Sequence, residues 1–126
     1  MLKIECCGLT STETKHLIEK NFPGEVEAYS DADMIAARKV KSGEMDFYLG
    51  SCQTGGGGSL AIAIPVLGYA NTIVVSRQGK CPDAKTIRNL VYSNNKKAFG
   101  YVNTHTDKVV VPLVRALVDK AEGRPE

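Results

Sequence analysis

Apolar and polar positions along this chain follow two periods in turn. Short apolar runs at Leu2 to Cys7, Val26 to Tyr29, Met45 to Leu49, Thr72 to Ser76 and Ala98 to Val102 have the length and side-chain types of β-strands. Between them lie segments with helical spacing. Thr12 to Phe22 sets Leu17, Ile18 and Phe22 on one face and stops at Pro23-Gly24. Met34, Ile35, Ala37 and Val40 mark a second helix, with Ser30 or Asp31 as its expected N-cap and Ser42-Gly43 as its stop. A third opens at Ser59 and is apolar on nearly every side, with Pro65 expected to kink or shorten it. Ile87, Leu90 and Val91 mark a fourth. The fifth carries Val110, Leu113, Val114, Leu117 and Val118, runs to Gly123, has a kink expected at Pro112, and follows an apparent capping box at Thr104-His105-Thr106-Asp107.

Five strand-helix pairs in strict alternation predict one α/β domain, a doubly wound Rossmann- or flavodoxin-like sheet of about five parallel strands flanked by helices. The strand order 2-1-3-4-5 suits five short units. It puts the β-branched run Thr72 to Ser76 inside the sheet and sets the loops after strands 1 and 3 side by side at a switch point, where such folds bind ligands.

Composition narrows the partners. At 126 residues and 43% hydrophobic, the chain is long and apolar enough for one real core. A net charge of +2 with no extended basic block argues against nucleic acid. The longest apolar run, Leu60 to Leu67, is far short of the ~18 residues of a membrane span, so no membrane insertion is expected. The first residues show no basic and apolar leader, and four cysteines at 6, 7, 52 and 81 are too sparse for a disulfide scaffold. A cytoplasmic protein with reduced thiols is expected. Cys6 and Cys7 project to opposite faces of a strand and no Cys-x-x-Cys pair exists, so no metal site is expected.

The chemistry concentrates in Gly50-Ser51-Cys52-Gln53-Thr54-Gly55-Gly56-Gly57-Gly58-Ser59. Four consecutive glycines each cost ~0.5 to 1 kcal/mol of backbone entropy relative to alanine, which calls for a reason. One reading is close approach of a ligand to the backbone; the other is tight packing of helix on strand. The loop leads into a helix whose first N–H groups are unpaired, and Ser51, Thr54 and Ser59 add hydroxyls. Together with Gly55, Gly56, Gly57 and Gly58 they form an expected binding surface for phosphate or carboxylate. The loop is neither a Walker A motif nor a G-x-G-x-x-G fingerprint, so no nucleotide cofactor is expected. Cys52 closes the strand beside the positive end of the next helix, which favours a thiolate able to act as base or nucleophile; its plainer reading is a small buried side chain.

This stretch resembles the strand-loop-helix of the ribose-5-phosphate isomerase B and galactose-6-phosphate isomerase family, whose pattern is Cys-Gly-Thr-Gly-x-Gly-x-Ser-x-Ala. Six of the seven fixed positions match over about 16 residues, with Gln53 the exception. The resemblance implies that Cys52 is the base moving a proton between sugar carbons and that the backbone of Gly55 to Ser59 binds the developing oxyanion. It also implies subunits that share sites, hence a homodimer or higher homo-oligomer. That family's Asp-His-Ala-Gly after strand 1 is Glu5-Cys6-Cys7-Gly8 here, and its asparagine after the loop is Ala63. Over its whole length the chain is similar to an uncharacterised family of small bacterial proteins represented by YhfU, sharing Lys39-Val40-Lys41-Ser42-Gly43, Ile62-Ala63-Ile64 and Ala98-Phe99-Gly100.

Other candidates lie on the same edge of the expected sheet. Cys7-Gly8-Leu9-Thr10-Ser11-Thr12 resembles the phosphocysteine loop of sugar phosphotransferase IIB proteins, which implies Cys7 or Cys6 as phosphoryl acceptor; the alternative is a turn with a helix cap. If the loops adjoin, Thr10 and Ser11 line the same pocket as Cys52. His105 follows strand 5 as an acid or base, or as a neighbour of a helix cap, and Arg77 and Lys80 are placed to pair with a phosphate. The combined expectation is binding of a small phosphorylated or carboxylated metabolite, a sugar phosphate first, with Cys52 as base in isomerase-like chemistry if a second acid or base is present. The alternative is a non-catalytic binding or phosphoryl-carrier component working with a transporter or other partner.

Overall fold

Each of the five apolar runs becomes a strand in the computed structural model, which describes residues 1–126: β1 (Leu2–Gly8), β2 (Val26–Tyr29), β3 (Phe47–Cys52), β4 (Thr72–Val74) and β5 (Ala98–Val102). They alternate with α1 (Ser11–Asn21), α2 (Asp33–Lys41), α3 (Gly58–Leu67), α4 (Ala84–Ser93) and α5 (Thr106–Ala121). All pairings are parallel. The result is the expected α/β sheet with helices on both faces.

The strand order is β2-β1-β3-β5-β4, which corrects the 2-1-3-4-5 expectation. β5 is inserted beside β3, and β4 is a three-residue edge strand with Ile73 and Val74 only half-buried. β-branching reports fit to a pleated surface and does not say how many neighbours a strand has. β5 earns the inner position with all five of its residues buried: Phe99 and Tyr101 fill one face, while Ala98 and Gly100 leave room for α3 on the other. β3 likewise runs three residues past the expected Leu49, because Gly50, Ser51 and Cys52 pair with Gly100, Tyr101 and Val102.

Several local signals resolve differently from their sequence reading. α2 has Ala32 at its N-cap with no side-chain cap, and Asp31 instead pairs with Lys39 at 3.1 Å. The expected capping box before α5 is a 3₁₀ turn, Asn103–His105, in which the Thr106 hydroxyl donates to the Asn103 carbonyl at 2.7 Å. Asp83 supplies a cap that the sequence reading did not assign, accepting the Thr86 N–H at 2.8 Å. Pro65 stands near the end of α3, which stops at Gly68 (φ +92°), whereas α5 stays helical on both sides of Pro112.

The two faces differ in content. α1, α4 and α5 cover an 18-residue buried cluster that includes Ile4, Phe22, Phe99, Tyr101 and Leu113. α2 and α3 cover nine buried residues, among them Cys7, Ala36, Ala37, Tyr48, Leu60 and Ala63. Under this second layer the Glu5 carboxyl is fully buried, and neither of its oxygens has a hydrogen-bond partner. Burial, reinforced by the neighbouring Asp31 carboxylate, pushes Glu5 up to about 7.

Candidate functional site

The switch point forms as topology requires. β1 and β3 are neighbours, and the chain leaves them toward opposite faces. Leu9 N–H donates to the Ser51 carbonyl at 3.2 Å, and the Thr10 N–H and hydroxyl donate to Ser51 Oγ at 2.9 and 2.8 Å. Gly8 (φ +90°) permits this approach, since a Cβ there would strike the Ser51 backbone. Thr10 Oγ1 also lies 2.8 Å from Thr106 Oγ1, so one threonine ties the carboxyl ends of β1 and β3 to the start of α5.

Beside this knot lies an open cleft of about 580 Å³ lined by Ser51, Cys52, Thr54, Gly57, Gly58 and Ser59 together with Gly8, Leu9, Asp33, Gln53 and Ile62. Cys52 ends β3 and is buried except where it borders the cleft. Its Sγ accepts the Gly55 N–H at 3.1 Å and stands 3.7 Å from Thr54 Oγ1, which in turn accepts the Gly57 N–H at 3.1 Å. The loop therefore aims two of its own amides inward. The N–H groups of Gly58 and Ser59, at the first two positions of α3, are those that helix geometry leaves unpaired, and they border the cleft. An anion or a developing oxyanion fits such donors. Behind them the Tyr48 hydroxyl donates to the Ser59 carbonyl at 2.7 Å and lies 2.9 Å from Ser59 Oγ, which fixes the first turn.

The four glycines divide between the two readings offered for them. Gly55 (φ +90°) packs so tightly on the Ser76 carbonyl that no Cβ fits, and a Cβ on Gly100 would strike the Gly55 carbonyl and Leu60. Gly56 faces Val74. These two are packing glycines turned toward β4 and β5, and only Gly57 and Gly58 border the cleft.

Other expected site residues fall outside it. The Thr10 hydroxyl is occupied by Ser51 and Thr106, and Ser11 begins α1 without lining the cleft. His105 Nδ1 lies 3.1 Å from Ser76 Oγ, which also accepts the Val102 N–H at 2.9 Å, so the imidazole belongs to the β4-β5 margin. Arg77 and Lys80 close a tight turn on each other, and Gln78 joins that turn to the Gln53 carbonyl at 3.0 Å. Arg77 thus stands beside Gly56 on the far side of the loop. Cys6 and Cys7 are both buried; burial pushes the Cys6 thiol up to about 12 and the Cys7 thiol higher still. A phosphoryl acceptor must be accessible and ionised, so neither thiol suits the carrier role.

Asp33, which the sequence reading did not single out, is the one carboxylate lining the cleft, and no lysine, arginine or histidine lines it. The available signal was its position, at the start of the helix that follows β2 on the carboxyl edge of the sheet. A second cavity, about 280 Å³ between Phe47, Phe99, Leu117 and Lys120, opens at the amino edge of β3 and β5. Its Lys120 ammonium is already held by the Val91 and Asn94 carbonyls and Asn95 Oδ1, and Lys97 lies over the Phe47 ring.

Comparison with known proteins identifies a family and a shared fold. The family model described as "Protein of unknown function DUF2620" matches residues 2–117. The uncharacterized protein YhfU of Escherichia coli K12 is 37% identical over 117 residues, covering 93% of this chain and 99% of its own, and YhfU of Shigella flexneri matches equally. Among solved structures, ribose-5-phosphate isomerase B of Clostridium thermocellum superposes with a TM-score of 0.63 at 17% identity, over 91% of this chain and 82% of its own. The type B enzyme of Trypanosoma cruzi gives 0.65 at 12% identity, over 96% of both chains. At these identities the likeness is one of fold.

Proposed function

The chain belongs to the DUF2620 family, and from that premise we propose that it binds a small phosphorylated or carboxylated metabolite, a sugar phosphate first, at the cleft between the β1 and β3 loops. The observation that carries this reading is a single one: the Cys52 thiol, the Thr54 hydroxyl and the first amides of α3 border the same cavity. The anionic group sits on the first amides of α3, those of Gly58 and Ser59, beside Gly57, and Cys52 moves a proton at the carbon next to a carbonyl. The fold shared with type B ribose-5-phosphate isomerases supports this chemistry over others that use a thiolate. The protein acts in the cytoplasm as a homodimer or higher homo-oligomer, with Met34, Ile35 and Ile62, exposed on the α2 and α3 layer, meeting a second copy.

Thermal unfolding against phosphate, sugar phosphates and small carboxylates tests the binding step. A ligand at ~100 times its Kd raises stability by about 2.7 kcal/mol, a shift of several degrees. Cys52→Ala is expected to keep that shift while losing proton exchange between substrate carbon and solvent. If no compound in the panel moves the midpoint of the wild type, the small-molecule reading fails and a partner-dependent binding role replaces it.

A further inference from the structure

We infer that Asp33 is the specificity residue of this cleft: its carboxylate accepts hydroxyl groups of the ligand and turns away a second negative charge at that end. The inference rests on the proposed binding of a small anion and assigns the ligand's orientation and class. Asp33 lines the cleft with Cys52, Thr54 and the first turn of α3, and its carboxylate makes no ion pair or hydrogen bond within the chain. Its neighbour Asp31, two residues earlier, is tied to Lys39 and faces the Glu5 layer, so the two acids have separate roles. Asp33 does not cap its own helix either, since Ala32 holds the N-cap position.

The charge arrangement makes the cleft two-ended. At the α3 end stand the first amides of the helix and the Thr54 hydroxyl, while the one charged group lining the cleft is the Asp33 carboxylate at the start of α2, with Leu9 and Ile62 supplying apolar wall. A carboxylate is an acceptor that suits O–H groups and repels phosphate or carboxylate within a few ångströms. With no cation of the same chain lining the cleft to offset it, a ligand charged at both ends is disfavoured. The class that fits has one anionic group and a hydroxylated tail, such as a sugar monophosphate or a sugar acid, with its tail toward α2.

The test compares inorganic phosphate, ribose 5-phosphate and a bisphosphorylated sugar as calorimetric probes on the wild type, Asp33→Asn and Asp33→Ser. For the wild type, ribose 5-phosphate is expected to bind more tightly than phosphate, and the bisphosphate more weakly than the monophosphate. Asp33→Asn should tighten inorganic phosphate about tenfold and raise the bisphosphate by at least as much. Asp33→Ser, lacking both charge and reach, should gain the same tolerance of phosphate and lose about tenfold in the preference for ribose 5-phosphate. Unchanged ratios in both variants, with the wild type binding the sugar phosphate, overturn the role of Asp33 alone. If the wild type and both variants bind none of the probes, the binding proposal itself falls and takes the orientation with it.

Discussion

The two sides of the sheet solve opposite problems. The α1, α4 and α5 side packs large apolar groups such as Phe22, Phe99 and Leu113 and fixes its rim with ion pairs, Arg88 with Asp119 at 2.8 Å and Arg115 with Glu25 at 3.1 Å. The α2 and α3 side packs alanines around polar groups, Glu5, Tyr48 and Ser59, and leaves Met34, Ile35 and Ile62 exposed. Small residues let α2 and α3 come close to each other and to the strand ends, which is what frames the cleft at the carboxyl edge. One side holds the fold and the other holds the site.

Four substitutions probe that division, in descending order of effect. Leu113→Ala removes a fully buried side chain from the larger cluster and is expected to cost about 3 to 4 kcal/mol in chemical denaturation with no change in ligand affinity measured well below the midpoint. A loss of affinity equal to that of a cleft variant would erase the distinction between the faces.

Glu5→Gln acts in the other direction. Glu5 titrates near 7 in the folded protein against about 4.5 when free, so the folded state binds the proton more tightly. The stability of the wild type therefore falls as pH rises from about 4.5 to 7 and levels off above that. At ~1.4 kcal/mol per unit, Glu5→Gln should be about 3 kcal/mol more stable than the wild type at pH 8 and no more stable at pH 4. Asp31, held below the usual carboxylate range first by Glu5 and then by Lys39, works oppositely, its contribution fading only below about pH 4. Denaturation curves across this range that superpose for the two proteins would place the ionisation elsewhere.

Gly100→Ala tests close approach on the site side, where a Cβ meets the Gly55 carbonyl and Leu60. Overpacking is expected to cost about 2 kcal/mol and to weaken ligand binding, because the displaced backbone is that of the glycine loop. Thr10→Val is the mildest. It removes the hydroxyl shared by Ser51 and Thr106 and should lower stability by about 1 kcal/mol while leaving the cleft's affinity near that of the wild type. An affinity loss tenfold or larger would return Thr10 to the binding surface.

What could be read from the sequence follows the range of the interactions involved. Strand and helix content, the glycine loop and the meeting of the β1 and β3 loops depend on local periodicity and on the rules of parallel sheets, and Cys52, Thr54 and Ser59 were legible as cleft residues for that reason. The place of β5 was not, because what puts it beside β3 is the fit of Gly100 under Gly55 and Leu60, a contact between residues far apart in the chain. The burial of Cys6 and Cys7 depends on the helices laid over them, and Asp33 becomes a cleft residue only when α2 brings its first turn to the mouth of the cleft. Of the four glycines, sequence could not tell which pair borders the cleft and which pair meets the protein itself.

Ser76 lies just past the last residue of the edge strand, its hydroxyl on Val102 and His105 and its carbonyl against Gly55. β4 pairs with β5 on one side only and over three residues. Edges of this kind open locally at a small fraction of the free energy of global unfolding. The backing of the glycine loop, and with it the Gly55 amide that fixes the Cys52 sulfur, therefore rests on the sheet's shortest margin, across the loop from the cleft.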